Sequence, residues 1–148
     1  GREKTPVITK EETPFELGKA LPITSGDDVT IIANGQMVYR AMMAAKELKN
    51  QVSVRVLNMH TVKPIDAASI IDAATETGAI VTAEEHQITG GLGGAVAEVL
   101  SKHQPVPLEI VGVADTFGES GEPNELMEHY HLGVGDIVQA VERVMRRK

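Results

Sequence analysis

The 148-residue sequence has no cysteine and no tryptophan, and its aromatic residues are two phenylalanines and two tyrosines. Without thiols the chain can form neither disulfide bonds nor thiolate metal sites. So few rings provide little material for a surface on which nucleic-acid bases could stack. The core must therefore consist of aliphatic side chains, and the 42% hydrophobic content supplies them.

Long apolar runs and excess positive charge are also missing. No apolar stretch approaches the ~20 residues that a membrane-spanning helix needs, and the polar first residues do not resemble a signal peptide. The formal net charge is −7, so a polyanion such as DNA would be repelled on average. We expect a cytoplasmic protein that binds neither nucleic acid nor a membrane.

Apolar runs rich in β-branched residues alternate with segments of helical spacing from Val29 onward. Residues 1–27 carry three prolines and are predicted to be an extended linker that precedes a domain over residues 28–148. The alternation predicts an α/β fold, a three-layer α/β/α sandwich around a mostly parallel sheet. The predicted strands are "VTIIA", "VSVRVLNM", "AIVTAEE" and "PLEIVGVA", and the last two predicted helices are "PNELMEHY" and "GDIVQAVERVMRR".

Two residues indicate the ends of a predicted helix over residues 65–75. Asp66 can cap its first turn, since a carboxylate there accepts hydrogen bonds from free backbone N–H groups. Gly78 can end it, because glycine readily adopts the left-handed conformation.

Polar residues follow the predicted strands, and ligands of α/β folds usually lie beyond those carboxyl ends. The residues at this position are Asn34, His60, Glu84, Glu85, His86 and Asp115. His60, Glu84, His86 and Asp115 could form an acid–base or metal site of a free-standing enzyme. Any α/β domain collects polar residues at its loop ends, however, so the same residues could simply line loops or face a partner.

The stretch "EEHQITGGLGG" (residues 84–94) also has two interpretations. Backbone N–H groups at a helix start can bind a phosphate, which would make the chain a ligand-binding or regulatory module with an anion near Gly91, His86 and Asp115. Alternatively, Gly90 and Gly91 allow a tight turn, and the two later glycines let a helix pack closely on the sheet. The standard phosphate-binding glycine patterns are absent from the sequence, which favours the turn and the packing.

The order of several motifs is more specific than any one of them. The series "DVTIIANGQMV", "VRVLNMHTVKPID", "EEHQITGGLGG" and "DTFGESGEPNEL" resembles the C-terminal domain of transketolase, especially of the short, split transketolases. The resemblance covers essentially the whole chain. The chain is less closely similar to the last domain of 1-deoxyxylulose-5-phosphate synthase and of the β subunit of 2-oxo acid dehydrogenases, and "EEH" with "DTFGESG" favours transketolase over both.

The resemblance implies a parent enzyme that moves a two-carbon ketol unit between sugar phosphates, as in the pentose phosphate pathway. Its thiamine diphosphate and divalent metal (Mg) would be held by two other domains, a diphosphate-binding and a pyrimidine-binding domain, in a dimer or other homo-oligomer. The family's Gly-Asp-Gly diphosphate motif is absent here. We therefore expect no catalytic residue, no metal and no cofactor on this chain, which would be inactive alone and serve assembly.

The resemblance also assigns roles to single residues. "GREKTPVI" is similar to the end of the pyrimidine-binding domain, where the family has an arginine that grips the substrate phosphate. Arg2 is the matching position, and a guanidinium suits a bidentate phosphate contact. The residues expected at the rim or at an interface are His60, Glu84, Glu85, His86, Gly90, Gly91 and Asp115.

Overall fold

A computed structural model describes residues 18–85, 91–113 and 123–148, with the side chains of the last range from residue 133 onward. The strands are β1 (Leu21–Thr24), β2 (Val29–Ala33), β3 (Val54–Asn58), β4 (Ile80–Glu85) and β5 (Leu108–Val113). The helices are α1 (Met37–Leu48), α2 (Ala67–Thr77), α3 (Leu92–His103) and α4 (Pro123–Arg147).

The described strands form one sheet in the order β1-β3-β2-β4-β5. β1 runs antiparallel to β3, and the other neighbours are parallel, with Ile31 of β2 opposite Val56 of β3 and Val81 of β4. The predicted α/β fold with a mostly parallel sheet is confirmed. β1 lies in the segment predicted to be extended, and the structure adds that it pairs with β3.

Helices cover both faces of the sheet, which explains why the central strand is apolar throughout. Every residue of β2 is buried. Ile31 packs in the core shared with α1 and α4, whereas Ile32 packs in the core shared with α2 and α3, as strand alternation requires. None of the helices within the described ranges is long and apolar enough to cross a membrane.

The predicted capping residues of α2 are confirmed, although the helix covers Ala67–Thr77 and not residues 65–75. Asp66 is its N-cap and accepts a hydrogen bond from the Ser69 N–H at 3.1 Å. Gly78 follows the last turn in the left-handed conformation, with φ of 73°.

The prediction of two separate helices near the end of the chain is wrong, because α4 is continuous. Gly133 lies inside it, although a glycine in a helix interior costs about 1 kcal/mol relative to alanine. A Cβ at Gly133 would lie 3.1 Å from the Cδ atom of the buried Arg40 in α1. The missing side chain therefore lets the two helices approach, and this packing offsets the weak helix propensity.

The end of α4 is fastened to the edge strand β5. Arg147 donates to the Leu108 carbonyl at 2.8 Å and to Glu109 at 2.7 Å, and Arg143 donates to Glu109 at 3.0 Å. The hydrogen bond from Arg143, with further help from Arg147, holds the pKa of Glu109 below its usual value. Cations that cover an edge strand in this way also discourage pairing with other chains.

Candidate functional site

The carboxyl ends of β2, β3, β4 and β5 lie along one side of the sheet, here called the carboxyl edge. Its described polar residues are Asn34, Asn58, His60, Glu84 and Glu85. Ala33 of β2 pairs with Ala83 of β4, so the next residues, Asn34 and Glu84, lie side by side, each only 7% exposed. The chain leaves β2 and β4 in opposite directions, and such switch points are where α/β folds usually bind ligands.

Glu84 is the polar group best fixed at this edge. Its carboxylate accepts hydrogen bonds from the backbone N–H of Leu92 at 3.0 Å and of Gly93 at 3.4 Å. The first N–H groups of a helix have no partners within the helix, and a negative charge there interacts favourably with the helix dipole. Glu84 is therefore an internal cap of α3, supplied from the neighbouring strand.

The glycines of the same stretch serve the turn and the packing. Gly91 precedes α3 with φ of 97°, a conformation that favours glycine. A Cβ on Gly93 would lie 2.8 Å from Ile110 of β5, so the close packing predicted there is confirmed. Gly94 has nothing within 4 Å of a Cβ position, so the packing interpretation is wrong for that residue.

The start of α3, which was predicted as an alternative anion site, is already capped by a carboxylate of the protein itself. The two N–H groups at Leu92 and Gly93 that could hold a phosphate face the Glu84 carboxylate, which would repel a diphosphate. The described residues therefore do not fit the diphosphate of thiamine diphosphate at this helix. In the described ranges no three His, Cys, Asp or Glu side chains are grouped as a metal site requires.

The other predicted site residues are only partly within the described ranges. His60 follows the end of β3 and is half-buried, and Glu85 is half-buried at the end of β4. Arg2, His86, Gly90 and Asp115 lie outside those ranges. The hypothesis of a free-standing enzyme also needs His86 and Asp115, so it stays a prediction.

Sequence reasoning missed the contacts that fasten the incoming chain at the carboxyl edge. The Asp66 Oδ2 atom accepts a hydrogen bond from the Ala20 N–H at 2.7 Å and one from the Ser69 hydroxyl at 2.7 Å. The Gly18 N–H donates to the Thr61 hydroxyl at 3.2 Å. Burial alone would raise the pKa of Asp66, but the hydrogen bonds from Ser69 and Ala20 outweigh it, so this pKa lies below its usual value.

Comparison with known proteins agrees with this architecture. Residues 18–137 match the family described as transketolase, C-terminal domain. The chain is 48% identical to the 6-deoxy-6-sulfo-D-fructose transketolase subunit of Clostridium sp. (strain MSTE9), over 95% of this chain and 44% of that protein. It is 43% identical to an apulose-4-phosphate transketolase subunit of Phocaeicola vulgatus, over 89% of this chain and 43% of that protein.

A solved structure described as a split gene transketolase, inactive beta4 tetramer, has a TM-score of 0.85 and 45% identity to the chain. The match covers 97% of this chain and 48% of that one. The chain thus spans less than half of the relatives that it matches. The names of all three favour transketolase over the two alternative families, and the chain belongs to the transketolase family as its C-terminal domain.

Proposed function

We propose that the chain is the C-terminal domain of an enzyme that transfers a two-carbon ketol unit from a ketose to an aldose. The observation that carries this proposal is the family match across residues 18–137. The high identity to transketolase subunits along nearly the whole chain supports it.

In this proposal the chemistry that thiamine diphosphate supplies takes place on other domains. A diphosphate-binding domain and a pyrimidine-binding domain hold the cofactor and its Mg²⁺, and this domain supports their assembly. Two observations are in favour: the sequence has no Gly-Asp-Gly motif, and Glu84 closes the helix start that could otherwise receive a diphosphate. The polar carboxyl edge, with His60, Glu85, His86 and Asp115, would then face neighbouring domains.

The names of the relatives and the expected role of Arg2 support a proposal for the substrate class. One relative is named for a sulfonated fructose and the other for a phosphorylated apulose, so both names describe a sugar that carries an anion. We expect a donor with a phosphate or sulfonate group, gripped by the Arg2 guanidinium. Pentose phosphates themselves are only one possibility within this class.

Assembly into a homo-oligomer is also part of the proposal. The solved relative is described as a tetramer, and the resemblance implies a dimer as the smallest active unit. Sedimentation of the purified chain would test self-association, and a purely monomeric species at high concentration would contradict it. A cytoplasmic location remains a prediction from composition, which fractionation of the source cells would check.

Calorimetry tests the proposal that the cofactor is bound by other domains and not by this chain. Thiamine diphosphate with Mg²⁺ is titrated into the purified chain, and the same titration is made with the natural polypeptide that carries the chain, together with its thiamine-diphosphate-binding partner. We expect heat of binding only in the second case. Micromolar binding to the chain alone would contradict the proposal. A thermal-shift panel of sugar phosphates and nucleotides would also reveal an independent ligand site.

A further inference from the structure

β5 lies at an edge of the described sheet, and it is long and regular for an edge strand. All six of its residues pair in register with β4, and none of them is proline. Edge strands are usually short, interrupted or covered, because an open row of backbone groups can pair with another chain. β1, at the other edge, follows this rule with four residues, a proline and a shift of register. β5 departs from it.

The register of β5 determines which of its backbone groups face the open edge. The Ile80 N–H donates to the Pro107 carbonyl at 3.0 Å, and the parallel pairing continues from there. The odd-numbered residues of β5 therefore bond to β4. The N–H and carbonyl groups of Leu108, Ile110 and Gly112 consequently point away from β4.

This open edge is covered at its start and bare beyond it. The Arg147 guanidinium donates to the outward Leu108 carbonyl at 2.8 Å, which discourages pairing at that point. Among the described residues, nothing bonds to the outward groups of Ile110 and Gly112. The Ile110 side chain is also 52% exposed, because the residue of α3 beside it is Gly93, which has no side chain to cover it. A further strand here would supply backbone partners and bury this isoleucine.

We propose that the β5 strands of two copies of this chain pair antiparallel about Val111, so that two five-stranded sheets become one continuous sheet. A twofold axis at Val111 places Ile110 of one copy opposite the partner's Gly112, with two hydrogen bonds between them, and the symmetry repeats this pair. The inference rests on the proposed function only in that self-association is part of it, and it adds the surface and the register.

The residues of β5 favour a second copy as the partner. Ile110 and Gly112 lie on the face of the strand towards α3, so an antiparallel copy brings the large residue over the small one. On the opposite face, Val111 meets the partner's Val111 and extends the apolar core. Pairing about Ile110 instead would bring Gly112 opposite the partner's Leu108, whose carbonyl Arg147 already holds. Arg147 thus favours the register about Val111.

Sedimentation equilibrium of the purified chain tests the surface. Four hydrogen bonds and two isoleucines form a small interface, so we expect a weak dimer that forms only at high protein concentration. Ile110→Lys should raise the dissociation constant about tenfold or more, because the apolar contact is lost and the cation stays hydrated. Met43→Lys, at an exposed apolar residue of α1, is the matched control and should leave the constant unchanged. Urea titration checks that both variants are folded.

Amide hydrogen exchange distinguishes strand pairing from a contact of side chains alone. The outward amides of Ile110 and Gly112 should exchange more slowly as the protein concentration rises, in step with the dimer fraction. The amides of Glu109 and Val111 already bond to β4 and are internal controls that should change little. In Ile110→Lys the Gly112 amide should lose its dependence on concentration.

Three results would overturn the proposal. If dimers persist in Ile110→Lys, or if exchange of the outward amides is independent of concentration, β5 is not the surface, although self-association itself stands. If these amides are protected only after the thiamine-diphosphate-binding partner is added, a strand of that partner covers β5. A chain that is monomeric at every concentration would contradict both this inference and the predicted self-association. Ketol transfer by the complete enzyme is measured independently, so its outcome is distinct from all three.

Discussion

In the sequence, Glu84 is a candidate acid–base or metal-binding residue. In the fold, its buried carboxylate caps the start of α3. We expect Glu84→Gln to lower the free energy of unfolding by about 1–3 kcal/mol, because one of the two α3 amides then faces an amide nitrogen and the favourable charge is lost. Urea denaturation measures this difference. Glu98→Gln, on the exposed side of the same helix, is the control, and equal stability of the two variants would contradict the capping role.

Thr82 and Thr77 are both buried threonines, but they differ in hydrogen bonding. Among the described residues the Thr82 hydroxyl has no partner, whereas that of Thr77 contacts the Thr30 hydroxyl at 2.9 Å and the Ala73 carbonyl at 2.8 Å. Replacing an unsatisfied polar group by an apolar one of the same shape is neutral or stabilising. We expect Thr82→Val to stabilise by up to about 1 kcal/mol and Thr77→Val to destabilise by about 1–2 kcal/mol in urea titrations. Equal effects would show that the Thr82 hydroxyl is satisfied.

At the scale of elements, the start of α3 provides a matched pair of glycines. Gly94→Ala should stabilise the protein by roughly 0.5–1 kcal/mol, because the site has room and alanine favours a helix. Gly93→Ala should destabilise it by about 1 kcal/mol or more, because its methyl group would press on Ile110. Thermal unfolding of both variants measures the contrast. The double variant with Ile110→Ala should recover part of the loss, and no recovery would contradict the packing explanation.

The cap of α2 predicts a dependence of stability on pH. The pKa of Asp66 in the folded state lies below its usual value of 3.8, so its contribution is present above that value and is lost as the pH falls through the folded pKa. The stability difference between the unmodified chain and Asp66→Asn should therefore be largest near pH ~7 and shrink towards pH ~3. Urea titrations across this range measure it. A difference that grows on acidification would contradict the assignment.

Local patterns predicted most of the elements but not their long-range contacts. The apolar runs of β2 and β4 identified those strands because nearly all of their residues are buried, and the helical spacing of apolar residues identified α1. Asp66 was predicted as a cap, yet its bond to Ala20, 46 positions away, could not be predicted because no local pattern encodes it. The sequence contains only a weak indication that Glu84 caps α3. Glu84 lies on the same face of β4 as Ile80, and it precedes a glycine-rich helix start.

The continuity of α4 shows that helix propensity alone does not predict where a helix ends. Two separate helices were predicted there, but α4 continues through Gly133, where the contact with Arg40 of α1 outweighs the low helix propensity of glycine. β1 was missed as a member of the sheet for a related reason. It is only four residues long, contains a proline, and owes its pairing to β3, more than thirty positions later in the chain.

For the whole molecule, the proposed role is that of a domain that supports a catalyst assembled from other domains, and the helix start capped by Glu84 fits this proposal. The Gly-Asp-Gly motif is absent from these 148 residues, and in the proposed function the cofactor is bound by other domains. The carboxyl edge, which in many α/β folds binds a small ligand, would here receive the neighbouring domain.

The most direct measurement is two-carbon transfer from a phosphorylated or sulfonated ketose to an aldose phosphate in the presence of thiamine diphosphate and Mg²⁺. It is made on the 148-residue chain alone and on the natural polypeptide that carries it, combined with its thiamine-diphosphate-binding partner. We predict transfer in the complete system and none above background with the chain alone. Turnover by the isolated chain, or no ketol transfer by the complete system with any anionic sugar, would contradict the proposed function.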